Sequence, residues 1–286
     1  MIDAAADAPA VVLIPFGSGH ITEAVALSSG LGWPYRDADW RFALSLGRGI
    51  AAVQDGRLVA TGFWWPYGEG FASCGMVIVD PRLQGRGIGA AIMDRVLADI
   101  GDRTVILNST REGQRLYTRL GFVPYGQVRQ HQAVLAADSA AEPDLAVVRD
   151  MAAGDAAAVR SLDRAAARMD RGDLLGALFT TGSVVVLDRG NGVEGYACVR
   201  DFGRGVVIGP VVAGGDDDAK ALIAALAARH RGTFVRIDVT GNSGLSPWLE
   251  TIGLPGVDGV VAMVRGTLPA PATATRLFAL SNQSLG

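Results

Sequence analysis

The chain has 286 residues, enough for one large or two ordinary domains, and 49% hydrophobic residues supply an ample core. Lys and Arg number 26 against 29 Asp and Glu, a net charge of −3 with no basic run or interleaved aromatics, so no nucleic-acid partner is expected. Cys74 and Cys198 lie far apart with no CxxC and no cluster with the three histidines, which argues against a disulfide framework or a metal site. The stretch MIDAAADAPA at the start is acidic and has no cationic region before an apolar one, so it does not read as a signal peptide. No apolar run is long enough to span a bilayer, so the expectation is a cytoplasmic protein with no membrane partner.

A first helical stretch leads into GWPYRDADW, Gly32 to Trp40, and further on stand Trp64 and Trp65. The loop YGEGF, with Glu69, precedes a strand from Phe71 to Val79, of which Val77, Ile78 and Val79 read as buried. Next comes the glycine-rich turn Gln84-Gly85-Arg86-Gly87-Ile88-Gly89-Ala90, and after it Ile92, Val96, Leu97 and Ile100 recur at helical spacing. The turn therefore opens a helix. Unpaired N–H groups at a helix start and the positive end of its dipole favour a bound anion, glycines allow close approach, and Arg86 adds a fixed charge. This geometry suits a pyrophosphate. A strand Thr104 to Leu107, a helix LYTRLGF (Leu116 to Phe122) and a strand from Val123 that carries His131 complete the first half.

Gly85, Gly87 and Ala90 also satisfy the loose dinucleotide pattern G-x-G-x-x-[GA]. Five residues separate Val79 from Gly85, and the next strand is followed by Asn108 rather than a carboxylate, both of which count against NAD. No G-x-x-x-x-G-K-[ST] is present. The arrangement Q-x-x-G-x-G of Gln84, Gly87 and Gly89, preceded by Val79-Asp80-Pro81, resembles the acyl-CoA loop of the GNAT superfamily of N-acyltransferases. LYTRLGF is similar to that superfamily's next block, in which a helical tyrosine precedes a Gly-Phe turn into a strand.

The stretch Ala136 to Leu145 is rich in small and polar residues and reads as a linker. Beyond it the order repeats: GVVIGP, a helix from Asp218 to about His230, TFVRID and a helix ending at Gly253, with nearly the spacing of the first half. The expected fold is α/β, two tandem GNAT-like domains, each a mixed central sheet flanked by helices, at 1–137 and 146–286 with a linker at 138–145. The second copy differs chemically. In place of the glycine turn it has AGGDDDA, whose carboxylates cap a helix but repel pyrophosphate, and in place of Tyr117 it has Leu249. It reads as a degenerate domain that braces the first or helps wall its substrate site.

The resemblance implies that backbone N–H groups of Val77, Ile78 and Val79 hold a thioester carbonyl, a term worth roughly 3 to 4 kcal/mol of barrier in preorganised sites. It also implies that Tyr117 stands near the sulfur. A phenol of ordinary pKa about 10 is protonated at neutral pH and can donate to a thiolate whose acid lies near about 8.5. The strand Phe71 to Val79 carries no carboxylate, so the general base is Glu69 acting through water, His131, or ordered water alone. Trp33, Tyr35, Trp40 and Trp64, with Trp65, either wall a small amine or pack helices on the sheet. Asp170, Arg171 and Asp238 either reach that acceptor or pair on the surface. The expected activity is direct acetyl transfer from acetyl-CoA to the primary amine of a small metabolite, with a non-catalytic acyl-CoA-binding module as the rival; no metal is expected, and the oligomeric state stays open.

Overall fold

The structure, a computed structural model, describes residues 10–139, 147–271 and 273–286. The acidic start of the chain, apart from Ala10, and most of the expected linker lie outside them. Contacts divide the chain into two units, Met1–Trp64 with Met76–Gly101, and Trp65–Gly75 with Asp102–Gly286. Among the described residues no helix is long and apolar enough to cross a membrane.

The first unit holds β1 (Val12–Pro15), α1 (Ile21–Ser29), α2 (Asp37–Leu46), β2 (Arg48–Gln54), most of β3 (Arg57–Tyr67), the end of β4 (Phe71–Val79) and α3 (Ile88–Ile100). Strands β1, β2 and β3 are antiparallel neighbours. Asp55 and Gly56, both at positive φ (51° and 74°), make the two-residue turn from β2 to β3, as the twist of a hairpin requires. Strand β3 is buried almost without interruption, because both of its faces are covered. One face presents Gly62, where an added Cβ would come within 2.3 Å of Ile92 on α3; its bare backbone lets that helix dock. The next residue, Phe63, points the other way and packs edge-on to Trp40 and Phe16.

The second unit holds the other ends of β3 and β4, then β5 (Thr104–Ser109), α4 (Gln114–Arg119), β6 (Val123–Val134), β7 (Val148–Asp150), α5 (Ala156–Ala167), α6 (Gly172–Thr181), β8 (Gly182–Asp188), β9 (Val193–Phe202), β10 (Gly205–Ala213), α7 (Asp216–Arg229), β11 (Phe234–Thr240), α8 (Ser246–Thr251), β12 (Gly256–Arg265) and β13 (Arg276–Ala279). Its strand order is β4-β5-β12-β6-β11-β13-β10-β9-β8-β7. The repeat read in the sequence reappears as matching parallel pairs: Phe71–Ser73 lie against Thr104–Ile106, and Val206–Ile208 against Val235–Ile237. Each pair lasts three residues and then parts.

The copies exchange their last strands. Strand β12, the second copy's counterpart of β6, pairs with β5 and β6, while Val128–Val134 of β6 pair with Phe234–Thr240 of β11. The hydrogen-bonding edges that each copy would otherwise expose are thereby paired. The core of this unit lies under α7, where Leu222, Ile223 and Leu226 are fully buried against β8, β9 and β10.

Candidate active site

In the first unit, the end of β4 runs into the glycine turn. Met76, just before Val77, Ile78 and Val79, holds a left-handed backbone at φ 49°, rare for a residue with a side chain, and Thr61 Oγ donates to its carbonyl at 2.8 Å. Such a residue breaks the regular alternation of N–H directions along a strand, as a bulge does. Ile78 is buried, and Val77 and Val79 are half-buried. Asp80 then accepts from Arg82 N at 2.9 Å and pairs with the Arg82 guanidinium, while Gln84 Nε2 donates to Val79 O at 3.2 Å, tying the turn to the strand.

Gly85 and Gly87 are both left-handed, at φ 78° and 84°, and an added Cβ would meet nothing within 4 Å at either. The requirement is thus conformational, with open space above the backbone. Gly87 caps α3, and the first intrahelical bond runs from Ala91 N to Gly87 O at 3.0 Å. The N–H groups of Ile88, Gly89 and Ala90 accordingly have no partner within the helix. Exposed Arg86 stands beside them. Successive N–H groups in such a turn form an anion-binding concavity, which fits the pyrophosphate of an acyl-CoA.

In the second unit, Tyr117 lies on α4, buried, with Phe122 edge-on at 6.0 Å. A Cβ on Gly113 would come within 2.8 Å of the Tyr117 ring and 3.1 Å of Ser109 Oγ, so that glycine makes room for the ring. The Tyr117 hydroxyl makes no hydrogen bond to the described residues. Burial, with Cys74 adding to it, pushes its pKa above the ordinary 10.0, so the proton stays on. Burial likewise pushes the Cys74 thiol up to about 12, which leaves it inert as a nucleophile.

The β4–β5 pair ends at Ser73 and Ile106, and strand alternation assigns what surrounds the gap. Ser73, Ile106 and Asn108 face one side; Cys74 and Ser109, with Tyr117, belong to the other. On the first side lies a cavity of about 570 Å³, whose walls include Ile106, Asn108, Tyr125, Gln127 and Arg168. The end of the chain closes over β4 and β5 there: Asn108 Nδ2 donates to Gln283 O at 2.8 Å, Ser73 Oγ to Ser284 O at 3.0 Å, Tyr67 to Leu285 O, and Arg171 Nη1 to Gly286 O at 2.8 Å. Asn282 Oδ1 shapes the segment by accepting from the N–H groups of Ser284 and Leu285.

The corresponding gap of the second copy is filled. Strand β13 enters between β10 and β11, pairing Ala279 with both Val211 and Val239, and buries Phe278 and Ala279 completely. The aspartates of its turn are ion-paired, Asp216 with Arg276 and Asp218 with Arg189 at 2.5 Å, and Leu249 is core. Nothing in the repeat pattern announced β13; the only local signal was the apolar tetrad Leu277 to Leu280 after the polar run TATR.

Several sequence expectations change here. His131 is buried on β6, its Nδ1 2.9 Å from Leu254 O and its Nε2 2.9 Å from Ser246 Oγ; both nitrogens are committed, so it is a structural residue and not a base. Trp40, Trp64 and Trp65 are core residues at 0, 3 and 1% exposure and form no acceptor wall. Their sites were readable, since Trp40 shares a helical face with Ala43, and Trp64-Trp65 sits in a run too apolar for a half-exposed strand. Trp33 and Tyr35 are half-buried before α2, 6.4 Å apart. Glu69 is exposed in the turn before β4. Asp170 pairs with Arg164 on the surface, whereas Arg171 and Asp238 are buried, Arg171 against Asp163 and Asp238 against Arg236.

Two family models, both described as an acetyltransferase (GNAT) domain, match residues 46–124 and 159–279. The chain is 27% identical over 283 residues to YitH of Bacillus subtilis (strain 168), an uncharacterized N-acetyltransferase, covering 96% of this chain and 98% of that one. Its fold is similar to that of a Pyrococcus horikoshii protein ascribed to the acetyltransferases, with TM-score 0.80, 18% identity and 96% coverage of both chains. It is also similar to a tandem GNAT protein from the clavulanic acid biosynthesis pathway, with TM-score 0.64, 15% identity and coverage of 90% and 99%.

Proposed function

Since the chain belongs to the GNAT acetyltransferases and carries two such domains in tandem, we propose that its first copy transfers the acetyl group of acetyl-CoA directly to the primary amine of a small molecule. The observation that carries this reading is the turn at Gly85 and Gly87, left-handed, open, and leading into the unpaired N–H groups of α3. Bound acetyl-CoA supplies the activated acetyl group. The α3 N-terminus and Arg86 hold its phosphates, and the N–H groups of Val77, Ile78 and Val79 hold the thioester carbonyl and the chain beside it. As the amine nitrogen forms its bond to the carbonyl carbon and the carbon–sulfur bond breaks, Tyr117 gives its proton to the sulfur and regains one from solvent. With His131 committed, the proton of the new amide nitrogen leaves through water, which Glu69 aids from the turn before β4. The second copy is degenerate, because β13 occupies the gap between β10 and β11 and the turn aspartates repel phosphate.

Calorimetric titration with acetyl-CoA tests this. One molecule binds per chain, and Gly87→Asp, which puts a side chain at φ 84° and a carboxylate beside the phosphate site, weakens binding more than about 100-fold. Unchanged affinity in a folded Gly87→Asp, or two bound molecules per chain, contradicts the assignment.

A further inference from the structure

The cavity on the Ser73 and Asn108 side of the β4–β5 gap is rich in cationic side chains. Among the described residues no Asp or Glu side chain lines it, while Arg168, Arg171 and Arg276 do. Two of these cations are neutralised from behind: Arg171 by Asp163, at 3.1 Å from its Nε with a second, shorter contact, and Arg276 by Asp216. Arg168 differs. Its Nη1 donates to the carbonyl of Pro269 at 2.7 Å, and no carboxylate of the described residues pairs with it.

Arg168 also stands in an unusual conformation. It ends α5 at φ 62°, a left-handed position that glycine or asparagine would occupy at little cost, yet the residue there is an arginine facing the cavity. Strain of this kind persists where the neighbouring structure over-determines it and gathers at ligand sites. Neutral hydrogen-bonding groups, Asn108, Gln127, Thr240 and Asn242, share the wall with it, and Met169 supplies apolar surface.

Resting on the acetyl-transfer reading above, we propose that this cavity is the acceptor site and that Arg168 selects acceptors carrying a carboxylate beside the amine, so that the substrate class is amino acids rather than polyamines or neutral amino sugars. A guanidinium presents paired donors that match a carboxylate, and a wall with three guanidinium groups and no Asp or Glu side chain disfavours a second ammonium group. Arg168 would be a specificity residue that touches substrate away from the reacting nitrogen.

The experiment compares amino acids with their α-amides, and with polyamines, in thiol release from acetyl-CoA and in calorimetric binding to the chain alone. Variants are Arg168→Asn, which keeps the left-handed backbone accessible, and Arg168→Lys; thermal melting verifies folding. Acids are expected to react and the amides to react poorly. Arg168→Asn raises the KM of the acid about 30-fold with kcat little changed, Arg168→Lys loses less, and binding of the acid follows the same order. Amides or polyamines turning over as well as acids, or an acid KM indifferent to Arg168→Asn, overturns the inference and leaves acetyl transfer standing. If no amine releases thiol, acetyl transfer fails, and the inference still stands or falls on whether the chain binds the acid and Arg168→Asn abolishes that binding.

Discussion

Tyr117→Phe is expected to lower kcat about 100-fold while leaving acetyl-CoA affinity unchanged. The substitution removes one oxygen from a ring that Gly113 and Phe122 enclose, so packing survives and the melting temperature stays near that of the parent. What is lost is a proton donor. General-acid contributions run from about 100- to 10,000-fold, and the lower end applies because water can protonate a thiolate. The loss falls on kcat, since the hydroxyl acts on the leaving sulfur and not on ground-state binding. The pH dependence has a definite sign: a donor whose pKa is raised by burial is fully protonated below the ordinary tyrosine value, so kcat does not decline through Tyr117 ionisation between neutrality and about pH 10. Steady-state kinetics with the true amine checks both points. Wild-type kcat in the variant would make Tyr117 a packing residue, and lost cofactor affinity would make it a contact to the pantetheine arm.

The second large effect is on stability. Asp163→Ala should cost the fold about 3 to 5 kcal/mol, the range for removing one partner of a buried ion pair. Burial acts against the charge of Arg171, and Asp163 outweighs it, so that the guanidinium is held well above its ordinary range. Both side chains are at 2% exposure or less, and the same carboxylate accepts from the Tyr196 hydroxyl. Without it, Arg171 loses its carboxylate partner and keeps the bond to Gly286 O, and the Tyr196 hydroxyl loses its acceptor. Pairing the change with Arg171→Met should recover part of the loss, because the uncompensated charge is then gone. Urea unfolding measures it, and a cost under about 1 kcal/mol for the single variant would show that Arg171 finds another partner or solvent.

The turn that opens α3 and the helix that carries Tyr117 were legible in the sequence because their requirements are local. A left-handed Gly87 at a helix start and a tyrosine four residues before a Gly-Phe turn are set by nearest neighbours along the chain. Strand β4 was readable as Phe71–Val79, and the repeated order of elements appears in the matching parallel pairs. What escaped depends on partners far away in the chain. The exchange of β6 and β12, the entry of β13 between β10 and β11, and the hydrogen bonds that seat Gln283 to Gly286 are ladder and tertiary choices that no local pattern encodes. Side-chain type also misled where direction decided: Trp40 and Trp64 have the chemistry of an amine-binding wall but point into the core, and His131 has the ring nitrogens of a base but spends both on holding α8 and the chain before β12.

Acetyl transfer at the first copy is measured most directly by thiol release from acetyl-CoA with amino acids, polyamines and amino sugars, run on the wild type and on Gly87→Asp. The expected result is acceptor-dependent release by the wild type that disappears in Gly87→Asp. Saturable acetyl-CoA binding with no release for any amine would contradict it and make the chain an acyl-CoA-binding module, and release that survives Gly87→Asp would place the chemistry elsewhere.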